Sequence, residues 1–309
     1  MEMWQLQQMQ ALPLEIKIQK TKLRIKEWYD NFDGEVYVSF SGGKDSTVLL
    51  HIARQVFSDI EAVFVNTGLE YPEVVNFVKK TDNVAWLRPK MNFKEVIKKY
   101  GYPVVTKEQA HYIHMVRNTK SKHLIKKHLH GINKDGTTTK FTISKKWKYL
   151  IEAPFKISDS CCDVMKKRPI KKYEKESGKK PFLGNMANES ILRQKIYMKV
   201  GCNSFDSKRQ VSTPLGFWTE QDILQYIIEN KIKIADCYGK IEIQKGIVQD
   251  VYEINGVRRT GCMFCMFGVH LEKGENRFQI MEKTHKKLYD YCINVLGCGK
   301  VLDYIGVEY

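Results

Sequence analysis

The chain has 309 residues, enough for one large domain or two modest ones, and its 43% hydrophobic and 11% aromatic content is that of an ordinary globular core. The net charge of +16 is concentrated: residues 106–150 hold eleven Lys/Arg against two Asp/Glu, and residues 166–180 hold eight against two. No apolar run reaches about 18 residues, and the N-terminus lacks a basic start followed by an apolar block, so a membrane-spanning helix and a secretory signal are not expected and a cytoplasmic location is.

In chain order, the apolar spacing of Ile16, Ile18, Leu23, Ile25, Trp28 and Tyr29 predicts an amphipathic helix over Leu14–Phe32. Asp33-Gly34 reads as a turn. A strand is expected at Val36–Phe40, a helix at Thr47–Phe57, a strand at Ile60–Val65, a helix at Pro72–Lys80, a strand at Val84–Leu87 and a helix at Phe93–Tyr100. Strands and helices alternating at this spacing make βαβ units and a parallel sheet. Residues 106–158 read as a basic helical insertion with an exposed hairpin or loop at GINKDGTTTK. There His111, His114, Lys122, Lys126 and Lys127 are interleaved with Tyr112, Trp147 and Tyr149. A further core strand is expected at Phe182–Gly184. A helix is expected at Thr219–Glu229, where Thr219 and Asp222 form a weak capping box, and another at Asn276–Val295.

The stretch SFSGGKDS sits between the first strand and its helix. Glycines let backbone amides turn inward, and the helix N-terminus adds partial positive charge, so together they make a cradle for a phosphate. The spacing is neither that of a Walker A loop nor that of a dinucleotide fingerprint. An ordinary Gly-rich turn would account for Gly42 and Gly43 but not for Ser39, Ser41, Lys44, Asp45 and Ser46 as well.

Eight cysteines in a reducing compartment point to metal binding or catalysis rather than a disulfide framework wherever they cluster. Cys161 and Cys162 are adjacent, and Cys262 and Cys265 form a CxxC in TGCMFCMFG. Four thiolates suit an iron–sulfur cluster; zinc and buried free thiols are the alternatives. Cys202, Cys237, Cys292 and Cys298 are read by default as buried structural cysteines.

SGGKDS resembles the pyrophosphate-binding loop of the N-type ATP pyrophosphatase superfamily. With VFVNTGLEYPEV, GNMANESILRQ and PLGFWTEQDILQYI, the chain resembles the phosphoadenosine phosphosulfate reductase family over most of its length outside the basic insertion. The resemblance implies a doubly wound α/β domain that binds an adenine nucleotide. Ser39, Ser41, Gly42, Gly43, Lys44, Asp45 and Ser46 would hold its phosphates with Mg²⁺, Arg193 would make a second phosphate contact, and Thr67 and Gly68 would lie near the adenosine. The CC…CxxC order is similar to that of the adenylylsulfate reductases, which implies a [4Fe–4S] cluster on Cys161, Cys162, Cys262 and Cys265, with Lys166, Lys167 and Arg168 as nearby cations. The layout expected is a helical segment at 1–32, a nucleotide-binding α/β domain at 33–105 and 158–235, the insertion at 106–157, and a C-terminal region with the CxxC at 236–309.

Two activities follow from the resemblance. One is cleavage of ATP to AMP and pyrophosphate, with Lys44 and Asp45 at the reacting phosphates, to activate a substrate for sulfur transfer by Cys202, Cys298 or the cluster. The basic stretches 106–150 and 166–180 make that substrate a nucleic acid, tRNA or DNA, with bases stacked on the interleaved aromatics. The other is reduction of a sulfonucleotide to sulfite. The reductases carry a Glu-Cys-Gly-x-His tail, whereas NVLGCGKVLDYIGVEY offers Cys298-Gly299 without the flanking Glu or His. An ATP sulfurylase small subunit would share the loop but has no use for four cluster thiolates. A non-catalytic nucleotide- and nucleic-acid-binding module is the remaining reading. A sulfur or electron donor protein and a homodimer are the other partners expected.

Overall fold

A computed structural model describes residues 1–246 and 250–309. The chain divides into two compact units, one of Met1–Asn66, Glu70–Leu87 and Ile170–Thr260, the other of Thr67–Leu69, Arg88–Pro169 and Gly261–Tyr309. Ten strands occur among the described residues: β1 Val36–Ser39, β2 Ala62–Val65, β3 Val84–Leu87, β4 Val104–Val105, β5 Lys180–Leu183, β6 Asn203–Ser204, β7 Val211–Ser212, β8 Ile241–Gln244, β9 Val251–Ile254 and β10 Met266–Phe267.

In the first unit six strands form one sheet in the order β3-β2-β1-β5-β7-β6. All neighbours are parallel except β6 and β7. The chain runs outward from β1 through β2 to β3, then returns to β5 on the other side of β1. That reversal is the topological switch point of a doubly wound sheet, and ligands bind beyond the carboxyl ends of the strands there. The helices Leu14–Asn31 and Lys44–Val56 pack together beside the sheet. Trp28, Tyr37, Phe182, Phe217 and Trp218 are fully buried, each contributing roughly 1.5–3 kcal/mol by the apolar surface it removes from water. The Trp218 indole donates to Thr21 Oγ1 at 2.9 Å, and Lys17 is ion-paired to Asp222 at 2.7 Å with both side chains buried, so the N-terminal helices belong to this unit rather than standing apart. The pair β8–β9 is an antiparallel hairpin.

The second unit joins the insertion to the C-terminal region. Its only strand pair among the described residues is the short parallel β4–β10. Helices Lys107–Asn118 and Lys122–His130 are followed by a turn of 3₁₀ helix at Lys145–Glu152. Between the last two, a loop bridges at Ile132 and Thr138.

Some elements depart from expectation for visible reasons. The first βα helix starts at Lys44, three residues early, because Gly43 is its N-cap and the loop residues enter the helix. The helix expected at Asn276–Val295 is broken: Arg277–Thr284 ends at His285, whose backbone leaves the helical region, and Lys286–Asp290 runs into a π turn at Tyr291–Val295. Residues 88–105 join the insertion and the CxxC, whereas residues 236–246 and 250–260 join the sheet unit.

Candidate functional site

The SGGKDS loop lies at the switch point, between the end of β1 at Ser39 and the helix Lys44–Val56. It is braced by its own hydroxyls. Ser46 Oγ accepts from the Ser41 amide at 3.2 Å and donates to Gly43 O at 2.9 Å, while Ser41 Oγ accepts from the Gly43 amide at 3.3 Å. Gly42 has φ +70°, and a Cβ there would stand 2.6 Å from Val78 Cγ2 and 2.7 Å from Val74 Cγ1. Gly42→Ala therefore pays left-handed strain and a clash together and is expected to cost about 1–3 kcal/mol. Urea unfolding measures it, and a loss below about 0.5 kcal/mol would mean that the two valines yield freely. Gly184, just after β5, comes so close to Ser46 that an added Cβ would be 3.2 Å from its amide nitrogen, a tight contact that would press the strand end against the loop.

Charge is organised around Lys44, which is 4% exposed. Its Nζ stands 3.4 Å from Asp45 Oδ1 and 3.2 Å from Glu220 Oε1. Burial holds the Asp45 carboxyl above its usual range against the pull of Lys44, and the nearby carboxylates of Glu189 and Glu220 add to the rise. Asp45 Oδ1 is buried, and the Lys44 ammonium is the partner it has. The Lys44 amide donates to the Tyr238 hydroxyl at 3.0 Å, and that hydroxyl is 2.7 Å from Thr260 Oγ1.

In the second unit the four cysteines of the CC and CxxC pairs line one cavity with Leu69, Phe93, Pro103, Met165, Lys166 and Phe267. Cys161 and Cys162 begin the helix that passes into a π turn at Asp163–Lys167, a local form frequent at functional sites. The CxxC turn is fixed by the Cys265 amide donating to Cys262 O, by the Met263 amide donating to Leu69 O, and by β10 on β4. Beside it Val105 has φ +64°, a strained conformation for a β-branched residue. Burial, with Cys162, Cys262 and Cys265 adding, pushes the Cys161 thiol far above its usual range, and burial with Cys262 pushes Cys265 up to about 11. The lining is sulfur and hydrocarbon with one ammonium, a donor set for a soft metal or an iron–sulfur cluster rather than a hard cation. Among the described residues no group of three or more His, Cys, Asp or Glu side chains is arranged to hold a metal ion, so the thiols converge without forming a finished metal site.

Comparison with known proteins gives the frame. The phosphoadenosine phosphosulfate reductase domain matches in two overlapping stretches, residues 35–136 and 105–267. The chain belongs to the phosphoadenosine phosphosulfate reductase family. An uncharacterized protein of Methanocaldococcus jannaschii is 24% identical over 285 residues, 91% of this chain and 53% of its own length. A second uncharacterized protein from the same organism is 23% identical, covering 88% of this chain and 43% of its own length, so the chain spans about half of these curated relatives. Adenosine 5'-phosphosulfate reductase of Bacillus cereus is 28% identical over 89 residues, 26% of this chain and 38% of its own length. The crystal structure of phosphoadenylyl-sulfate reductase from Candida auris, a phosphate complex, aligns with a TM-score of 0.42 and 14% identity over 78% of this chain and 90% of that one.

In this member of the phosphoadenosine phosphosulfate reductase family the other expected residues are distributed as follows. Arg193 lies in the loop's unit and is ion-paired to Glu189, the acid that also raises Asp45. Thr67 and Gly68 fall in the second unit, where Thr67 Oγ1 accepts from the Leu69 amide in a local turn. Cys202 is buried in the first unit, with Tyr197 Oη 3.3 Å from its sulfur, and burial holds its thiol up. Cys298 is fully buried in the second unit, and its thiol together with burial pushes that of Cys292 far above its usual range. The insertion differs from expectation in its aromatics. Tyr112, stacked on His128 at 4.5 Å, and Trp147 are buried and build the insertion's own core, so neither is open for stacking a base. Phe141 at 55% exposed and Tyr149 at 42% are the rings left at the surface. His111 is 3.4 Å from Asp159, and Arg117 binds the carbonyls of Ala153 and Phe155, so these residues fasten the insertion's first helix. Glu189, Glu220, Tyr238 and Thr260 complete the loop's surroundings. Glu189 was within reach of sequence reading through the Glu-Ser-x-x-Arg segment; the other three carry no local signal.

Proposed function

We propose that the chain binds ATP on Ser39–Ser46, cleaves it to AMP and pyrophosphate, and so activates a nucleic acid for sulfur transfer. A substrate oxygen attacks the α-phosphorus, a new P–O bond forms, and pyrophosphate leaves with the electrons of the broken anhydride. A sulfur nucleophile at the sulfide level then attacks the activated carbon, and AMP departs with the bonding pair, so no oxidant is needed. The observation that carries the reading is the intact loop at the switch point, with a buried lysine and a braced set of amides for a polyphosphate. Asp45, a buried carboxylate beside the loop with Lys44 as its partner, is the one suited to Mg²⁺, which would neutralise phosphate charge. Cys161, Cys162, Cys262 and Cys265 would hold an iron–sulfur cluster, the group that would supply or relay sulfur or electrons. The basic stretch 106–150 lies in the same unit as those cysteines and keeps Lys122, Lys126, Lys134, Lys140, Lys145, Lys146 and Lys148 exposed for a phosphate backbone. A sulfonucleotide reductase is the second reading; the burial of Cys298 disfavours it, because that thiol would have to attack sulfur.

The test is product analysis on anaerobically purified protein with Mg²⁺ and ATP, with and without bulk RNA or DNA. AMP and pyrophosphate in equal amounts, increased by nucleic acid, are expected. Sulfite from a sulfonucleotide and thioredoxin, with ATP intact, would establish the reductase instead.

A further inference from the structure

We infer that Tyr238 and Thr260 are part of the phosphate site, as hydroxyls that hold the loop's first helical amide when no nucleotide is bound and donate to the phosphate when one is. The inference rests on the reading that Ser39–Ser46 binds nucleotide phosphates. Four observations lead to it. The polar end of Tyr238 points at the loop: its hydroxyl takes the Lys44 amide at 3.0 Å and meets Thr260 Oγ1 at 2.7 Å, while the residue is 2% exposed. Both hydroxyls crowd Gly43, since a Cβ there would lie 3.1 Å from each. They therefore occupy the side of the loop from which a phosphate oxygen must approach the helix N-terminus.

The pair is also held in place. The Gly256 amide donates to Tyr238 O and the Val257 amide to Cys237 O. The Lys240 amide donates to Asn255 Oδ1 at 2.8 Å. A Cβ on Gly256 would stand 2.5 Å from Cys237 O, and one on Gly239, at φ +68°, would stand 2.2 Å from Asn255 Oδ1. The base of the β8–β9 hairpin is thus locked to the turn that carries Tyr238, and the non-strand segment that follows β9 carries Thr260.

The chemistry then follows from what a hydroxyl can do. An N-terminal helical amide buried without a partner is costly, and a phenol oxygen satisfies it as acceptor. Burial pushes the Tyr238 phenol well above its usual range, so it stays protonated at neutral pH and keeps a proton to donate. When an oxyanion takes over the amide, the same hydroxyl and that of Thr260 turn their protons toward it. A phenylalanine would fill the same space and do neither.

Binding of ATP, pyrophosphate and adenosine, each with Mg²⁺, to the full chain and to Tyr238→Phe and Thr260→Val tests this by calorimetry. ATP and pyrophosphate are expected to weaken by about 10-fold or more in each variant while adenosine binds as before. Unchanged or tighter ATP binding in either folded variant overturns the inference, as does an equal loss for adenosine, which marks a merely structural role. If Tyr238→Phe does not fold, Thr260→Val, with rescue by Thr260→Ser, decides alone. Failure of the unaltered chain to bind ATP or pyrophosphate overturns the phosphate-site reading itself; binding by the unaltered chain and both variants alike overturns the hydroxyl pair only.

Discussion

Asp222→Ala is expected to lower the unfolding free energy by about 3–5 kcal/mol. Lys17 is 2% exposed, and its ammonium sits 2.7 Å from both carboxylate oxygens of Asp222, with Gln10 O at 2.6 Å as its remaining partner. Removing the carboxylate strands a positive charge in the interior. The same carboxylate accepts from the Thr219 amide and hydroxyl, so the capping box of the helix Glu220–Glu229 loses its reciprocal half, while the Thr219 N-cap bond to the Asp222 amide stays. Guanidinium unfolding of Asp222→Ala beside Lys17→Met with Asp222→Leu separates the two contributions. The double replacement removes both charges and should recover much of the loss, whereas a single-mutant loss under about 1 kcal/mol would mean that the ammonium finds water. The damage also reaches the phosphate loop, because Glu220, in the first turn of that helix, lies 3.2 Å from Lys44 Nζ.

Lys44→Ala should weaken ATP binding by roughly 10–100-fold, more than an exposed lysine contributes. On the proposed reading Lys44 attracts the phosphates and also neutralises Asp45 and Glu220 beside it. Without it Asp45 and Glu220 lose their shared cation, and the carboxyl of Asp45, already raised by burial, loses the charge that opposes the rise. Equilibrium dialysis with Mg²⁺ and ATP measures the change. An affinity within twofold of the unaltered chain would remove Lys44 from the phosphate site.

The loop was legible because its chemistry is local. Glycines that free amides, a lysine and three serines fall within eight residues, and the flanking apolar runs announce the strand and the helix. The parallel sheet was legible for a similar reason, since β1, β2 and β3 are consecutive short apolar runs. What completes the site was not. Glu220, Tyr238 and Thr260 come from distant parts of the chain and reach the loop only through the β5 crossover and the hairpin base. A single tyrosine or threonine has no spacing to betray it. The insertion misled in the opposite direction: lysines around Tyr112 and Trp147 look like a stacking surface, but a segment with its own helices needs aromatics for its own interior, and charge density cannot tell the two uses apart. The break at His285 was hidden because the apolar spacing continues across it.

The position of β1 in the sheet has a consequence for synthesis. It pairs with β2 on one side and with β5 on the other, and the whole of residues 88–169 is made between β3 and β5. At about 5–20 residues per second the ribosome takes on the order of ten seconds to supply β5 after β1, so the nascent chain carries β1, β2 and β3 with one flank of β1 open to any passing strand. That flank is only four residues long, which limits what can pair with it. A newly made chain is thus a half-sheet waiting for its centre to close, and the SGGKDS loop, which follows β1, waits with it for the β5 flank.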